Sequence, residues 1–127
     1  MIQSDGRTLP FLSITFTSSN WDSTQLQSAL DEIFQHVELA ISNNARLKVL
    51  VTGNATVSNP PMRTWPQIIS AIATMQQKFA IAVDRAAVFT PNDSMNAFFD
   101  ILFTVCEPTR PVELFSKLDD AREWLVK

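Results

Sequence analysis

The sequence predicts an α/β protein with a mainly parallel sheet, an antiparallel N-terminal edge strand and four helices. Short apolar runs alternate along the chain with longer runs in which apolar residues recur every three or four positions, which is typical of strand-helix repeats. An Asp5-Gly6 pair separates the first two extended runs, as in a tight β-hairpin. The 127 residues, of which 46% are apolar, suffice for one domain over residues 1–127. Right-handed crossovers accommodate this order of elements simply.

Four extended runs predict the parallel strands. In residues 12–17, Leu12, Ile14 and Phe16 alternate with polar residues, so this strand has one apolar face. Residues 47–52 are mostly apolar, which is typical of a strand covered on both faces and therefore central in the sheet. Residues 85–90 and 112–115 predict the remaining two strands.

The first helix has the clearest sequence signals. Asp22 can cap it, and Trp21 can pack on Leu26 as a hydrophobic staple. The apolar positions that follow form one stripe, which consists of Leu26, Leu30, Ile33, Val37 and Ile41. We expect this helix to end near residues 43–44.

Three further helices are predicted from capping signals and apolar stripes. The second begins with a capping box of Thr64 and Gln67, and the third follows a cap in residues 91–93. The fourth begins at Ser116 and Asp119. The predicted buried stripe of the second helix consists of Ile68, Ile72, Met75 and Phe79. That of the third helix consists of Met95, Phe98, Phe99, Leu102 and Val105.

Composition excludes several classes of function. The net charge is −3 and basic residues do not cluster, so we expect no nucleic acid partner. One cysteine cannot form an internal disulfide, one cysteine with one histidine cannot form a structural zinc site, and two glycines cannot build a Gly-rich phosphate loop. We expect no cofactor, no metal and no transmembrane segment, and a cytoplasmic location.

Three segments give the chain a family resemblance. They are the apolar strand 47–52 with its long following loop, the Arg85-Ala86-Ala87-Val88-Phe89 strand, and the ending 112–125 with Phe115, Ala121 and Trp124-Leu125. In these features the sequence resembles the SpoIIAA-like family of the STAS superfamily. The resemblance implies a STAS-like α/β domain, and by analogy a lipid-like ligand, because that fold is similar to the fold of a group of lipid carriers.

The resemblance does not extend to the phosphorylation switch of STAS regulators. Phosphorylatable members carry an Asp-Ser-Ser-Gly-type segment at the start of the helix that follows the central strand. This sequence has Ser-Asn-Pro-Pro-Met-Arg-Thr at residues 58–64 instead. A role as a STAS-type regulator would therefore operate without that switch.

The candidate site combines a polar loop with surplus apolar residues. Residues 53–62 form the longest irregular stretch, and connections of this length are often functional. We predict that Met62 and Trp65 gate an apolar recess between the second and third helices. The candidate ligand-binding residues are Asn54, Ser58, Met62, Trp65, Ile69, Phe98, Phe99 and Leu102.

Three classes of function remain open. A ligand-binding module predicts a concave apolar pocket under Met62 and Trp65, and an interaction module, a homodimer above all, predicts a flat apolar patch at a symmetric interface. An enzyme requires converging polar groups, and the sequence does not assemble them. His36 and Cys106 are expected to be structural, because neither has the neighbours of a catalytic residue. The prediction is a non-enzymatic binding or regulatory domain, which binds a lipid-like or other apolar small molecule.

Overall fold

Five strands and four α-helices lie within residues 2–5, 10–16, 22–53, 61–89 and 93–127, which the computed structural model describes. A 3-10 helix over Met62–Thr64 leads into the second α-helix. In chain order the elements are β1 (Ile2–Asp5), β2 (Phe11–Phe16), α1 (Ser23–Ser42), β3 (Leu47–Gly53), α2 (Trp65–Ala82), β4 (Val83–Phe89), α3 (Asp93–Val105), β5 (Val112–Phe115) and α4 (Leu118–Leu125).

The strands lie side by side in their order along the chain. β2, β3, β4 and β5 are parallel, and β1 runs antiparallel to β2 with Ser4 opposite Ile14. The predicted mainly parallel α/β architecture and the central position of β3 are confirmed. Because right-handed crossovers that step in one direction place their helices on one face, α1, α2 and α3 share a side of the sheet.

The main core lies between that face and the three helices. Phe16 of β2 and Val88 of β4 pack with Leu26 and Leu30 of α1 and with Ile68 of α2. The carboxylate of Asp22 accepts a hydrogen bond from the Gln25 backbone N–H at 3.1 Å, so the predicted cap of α1 is confirmed. The apolar stripe of α1 therefore faces the sheet as its spacing predicts.

The short helix α4 covers the opposite face. Ala121 and Leu125 of α4 are buried against Ala87 of β4. The last carbonyls of α4 accept hydrogen bonds from the sheet, because Lys48 Nζ donates to Leu125 O and Arg85 Nη1 donates to Trp124 O, both at 2.8 Å. These positive charges interact favourably with the negative C-terminal end of the α4 dipole, and the hydrogen bonds hold α4 on the sheet.

Two predicted caps are wrong, and residues 91–92 of the predicted cap of α3 lie outside the described residues. The Thr64 hydroxyl donates to Pro61 O at 2.7 Å and does not cap α2, because the 3-10 turn already places Thr64 in a helical conformation. Gln67 instead donates to Ser23 O at 3.1 Å. The residue before α4 is Lys117, so Ser116 does not cap that helix. Trp21, and with it the predicted staple on Leu26, lies outside the described residues.

Other details of the predicted elements also differ. Asp5 pairs with Ser13, so the connection between β1 and β2 is longer than a two-residue turn. β2 begins and ends one residue earlier than predicted, and β4 begins two residues earlier, directly after α2. Val105 is 60% exposed, because it lies on the outer side of α3. None of the helices described is long and apolar enough to cross a bilayer.

Candidate functional site

A cavity of about 220 Å³ lies between the sheet and the helices α1, α2 and α3. Its floor consists of sheet side chains, and its roof consists of side chains from all three helices. The floor includes Leu12, Ile14, Val49, Val51, Ala86 and Val88. The roof includes Leu30, Phe34, Ile72, Phe98, Phe99 and Leu102. The walls are almost entirely apolar, so water gains few hydrogen bonds inside the cavity.

Aromatic side chains of α2, α3 and β2 pack against one another beside the cavity. Phe99 meets the Phe16 ring edge to face, with ring centroids 5.8 Å apart, and it contacts Phe98 in the same manner at 5.3 Å. Trp65 lies against Phe98 at 5.4 Å. These rings are rigid and cannot fold into an adjacent gap, whereas Ala86 of β4 presents only a methyl group to the cavity. Large rigid rings on α3 and a small side chain on β4 therefore both border this space.

Polar groups gather at one end of the cavity, where α3 turns into β5. Gln76 Nε2 donates to Glu107 O at 3.1 Å, and Cys106 Sγ lies 3.8 Å from Ile69 O. Arg110 Nε donates to Val83 O at 3.1 Å. Gln76, Cys106 and Arg110 all line the cavity, so residues with polar and charged groups border its apolar interior at this end, which is its rim.

Beside this rim lies a group of ion pairs around Asp84. Lys48 Nζ is 3.1 Å from Asp84 Oδ2, Arg85 Nε is 3.8 Å from the same oxygen, and Arg110 Nη2 is 3.7 Å from Asp84 Oδ1. The hydrogen bond from Lys48, helped by the positive charges of Lys48, Arg85 and Arg110, lowers the pKa of Asp84 below its usual value. Asp84 is therefore ionised at neutral pH and balances part of the positive charge.

A crystal structure of an uncharacterised protein from the DUF3478 family, from Shewanella loihica and described as having a SpoIIAA-like fold, is similar to this chain with a TM-score of 0.54. The similarity covers 98% of this chain and 92% of that one, at 11% sequence identity. This chain has a SpoIIAA-like fold. The likeness predicted from the sequence is thus confirmed for the fold, and the fold alone implies no activity. No family model and no curated protein matches the chain.

The SpoIIAA-like fold brings some of the predicted site residues together. Phe98, Phe99 and Leu102 line the cavity. Trp65 and Ile69 are partly buried against the same core, where Trp65 supports Phe98 from outside the lining. Met62 is 75% exposed in the 3-10 helix before α2 and does not line the cavity. Asn54 and Ser58 follow β3 and lie outside the described residues.

Arg110 and the floor residues were not predicted as site residues. Arg110 lies between two prolines in the turn before β5, a position with no periodicity that would indicate burial or exposure. Ala86 is one of two adjacent alanines, and the sequence does not show which of them faces the three helices. The sequence gives one signal for Arg110, which is that this positively charged residue follows a helix with an apolar face.

The single histidine and single cysteine show no catalytic arrangement in the described part of the chain. The buried Nε2 of His36 has no hydrogen-bond partner there. Cys106 is buried, and its nearest polar contact is a backbone carbonyl rather than a base. Among the residues described, no three histidine, cysteine or acidic side chains gather as a metal site would require.

Proposed function

We propose that this chain is a non-enzymatic cytoplasmic binding protein that holds an apolar small molecule between its sheet and the helices α1, α2 and α3. The observation that supports the proposal is the apolar cavity of about 220 Å³. An apolar cavity of about 150 Å³ in a protein core stays dry and binds benzene, so this cavity has room for roughly nine carbon atoms. The ligand class is therefore a slim aliphatic or small aromatic molecule.

Chain length provides a quantitative test. Each methylene group that leaves water contributes about 0.8 kcal/mol, which is roughly a fourfold gain in affinity. Isothermal titration calorimetry with hexanoate, octanoate, decanoate and dodecanoate should show this gain until the cavity is full. Beyond roughly nine carbons the affinity should level off, because further methylene groups remain in water. A gain that continues unchanged through dodecanoate would contradict binding in a cavity of this volume.

A cavity-filling variant locates the binding. Ala86→Leu places three more carbon atoms in the cavity, and we expect it to weaken decanoate binding at least tenfold. Ala97→Leu is the matched control, because Ala97 is exposed on α3 and does not line the cavity. If both variants bind decanoate as the wild type does, the ligand binds elsewhere and the proposal is wrong.

A second candidate function, a homodimeric interaction module, rests on the outer face of α3. Ile101 is 45% exposed and Val105 is 60% exposed, one turn apart on that helix. Under this proposal the paired substitutions Ile101→Ser and Val105→Ser convert a dimer into a monomer in sedimentation velocity. Leu39→Ser, at an exposed position of α1, is the control and leaves the assembly unchanged. A monomeric wild type would exclude this candidate.

A further inference from the structure

Arg110 is the charged residue among the side chains that line the cavity. It belongs to the turn between α3 and β5, at the rim where Gln76 and Cys106 also lie. The walls of the cavity are almost entirely apolar, so the aliphatic stem of Arg110 borders the cavity, while the side chain as a whole is 35% exposed to solvent. A charged group at the rim of an otherwise apolar cavity is suited to a ligand that is apolar at one end and charged at the other.

Backbone carbonyls hold the guanidinium in place. Arg110 Nε donates to Val83 O at 3.1 Å and to Asp84 O at 3.3 Å, and Nη2 donates to Asp84 O at 3.2 Å. These bonds orient the planar group but leave its charge uncompensated, since carbonyls are neutral. Within the described part of the chain, Arg110 Nη1 donates no hydrogen bond. Three of its five donor hydrogens, two on Nη1 and one on Nη2, therefore form no hydrogen bond there and remain for a ligand.

The charges around Arg110 do not balance. Asp84 is the carboxylate within 4 Å of Arg110 among the residues described, and it is shared with Lys48 and Arg85. Three positive side chains thus surround one negative side chain, in a protein whose net charge is −3. Lys48 and Arg85 also donate to the carbonyls at the end of α4, on the opposite face of the sheet. Arg110 is the member of this group whose side chain borders the cavity.

We infer that the ligand is a single-chain amphiphile with a carboxylate head, and that Arg110 pairs with this carboxylate while the alkyl chain occupies the cavity. The inference rests on the proposed function and adds the polarity of the ligand and the end at which its head lies. A guanidinium can donate two parallel hydrogen bonds to a carboxylate, which an alcohol head cannot accept in the same geometry.

Decanoate and decanol distinguish this inference from the proposed function itself. They share their chain length and differ in the head group, so both should bind if the cavity takes an alkyl chain. We expect the wild type to bind decanoate at least tenfold more tightly than decanol in calorimetry at pH 7.5, because hydrogen bonds between charged partners are stronger than neutral ones. Equal affinities would overturn the carboxylate assignment and leave the proposed function intact. Absence of binding by both molecules would overturn both.

Two substitutions assign the preference to Arg110. Arg110→Gln should lower decanoate affinity at least tenfold, to the level of decanol, and leave decanol affinity unchanged. Arg110→Lys keeps the positive charge and should retain part of the preference. Arg122→Gln removes a charge from an exposed position of α4 and should change neither affinity. If Arg110→Gln weakens decanoate and decanol equally, Arg110 only supports the turn and the inference is wrong.

Discussion

The adjacent residues Ala86 and Ala87 of β4 should respond in opposite ways to the same substitution. Their side chains point to opposite faces of the sheet, because successive residues of a strand alternate. Ala86 lines the cavity under the three helices, whereas Ala87 is 0% exposed and packs against Ala121 and Leu125 of α4. Ala86→Leu should therefore stabilise the protein, and Ala87→Leu should destabilise it.

The expected magnitudes follow from the two environments. Leucine adds three carbon atoms, which contribute about 2.4 kcal/mol at about 0.8 kcal/mol each when they leave water. Fixing the leucine rotamer costs about 0.5–1 kcal/mol, so Ala86→Leu should raise the free energy of unfolding by about 1.5 kcal/mol. Ala87→Leu inserts the same atoms into packed space, which typically costs about 1–3 kcal/mol.

Urea denaturation of both variants, followed by circular dichroism, measures these changes. For a domain of this size, the stabilisation of Ala86→Leu corresponds to a rise in Tm of roughly 5 °C. The m-values of both variants should equal that of the wild type, because unfolding exposes nearly the same surface area in all three proteins. A loss of 1 kcal/mol or more in Ala86→Leu would mean that the space above Ala86 is filled, and the reasoning about the cavity would fail with it.

Three other predictions concern the packing and the charges. Phe99→Ala should lower the free energy of unfolding by about 3–5 kcal/mol in urea denaturation, because it removes a buried ring that contacts Phe16 and Phe98, and a loss under about 1 kcal/mol would contradict this packing. Asp84→Asn should destabilise the protein at pH 7. The pKa of Asp84 is lowered in the folded state, so its contribution is present above the ordinary value of 3.8 and is lost as the pH falls below it. Urea denaturation from pH 7 to pH 3 should show the two proteins converge, and a constant difference would refute the ion-pair argument. His36→Ala should leave decanoate affinity unchanged in calorimetry, because His36 does not line the cavity, and a tenfold loss would reopen a functional role for the imidazole.

The sequence alone determined the type and order of the main elements. The spacing of Leu26, Leu30 and Val37 specifies which face of α1 is buried, because a helix repeats every 3.6 residues wherever it packs. The apolar run of β3 indicated a central strand for a similar reason, since only a strand covered on both faces gains from such a run. Local caps were less predictable: Asp22 caps α1, but Thr64 bonds within the preceding 3-10 turn instead.

Only the tertiary structure decided where the candidate site lies. A cavity is the space left unfilled where elements that are distant in the chain pack together, so no local pattern encodes it. Ala86 faces the three helices and Ala87 faces α4 because of the register of β4 beside β3, which includes a shift at Leu47 and Lys48. The sequence predicted Phe98, Phe99 and Leu102 as apolar helix positions, but the empty space beneath them depends on how the aromatic rings pack against Phe16 and Trp65. Arg110 reaches the same cavity because the sheet aligns its turn with the start of β4, and the carbonyls of Val83 and Asp84 then hold its charge at the rim.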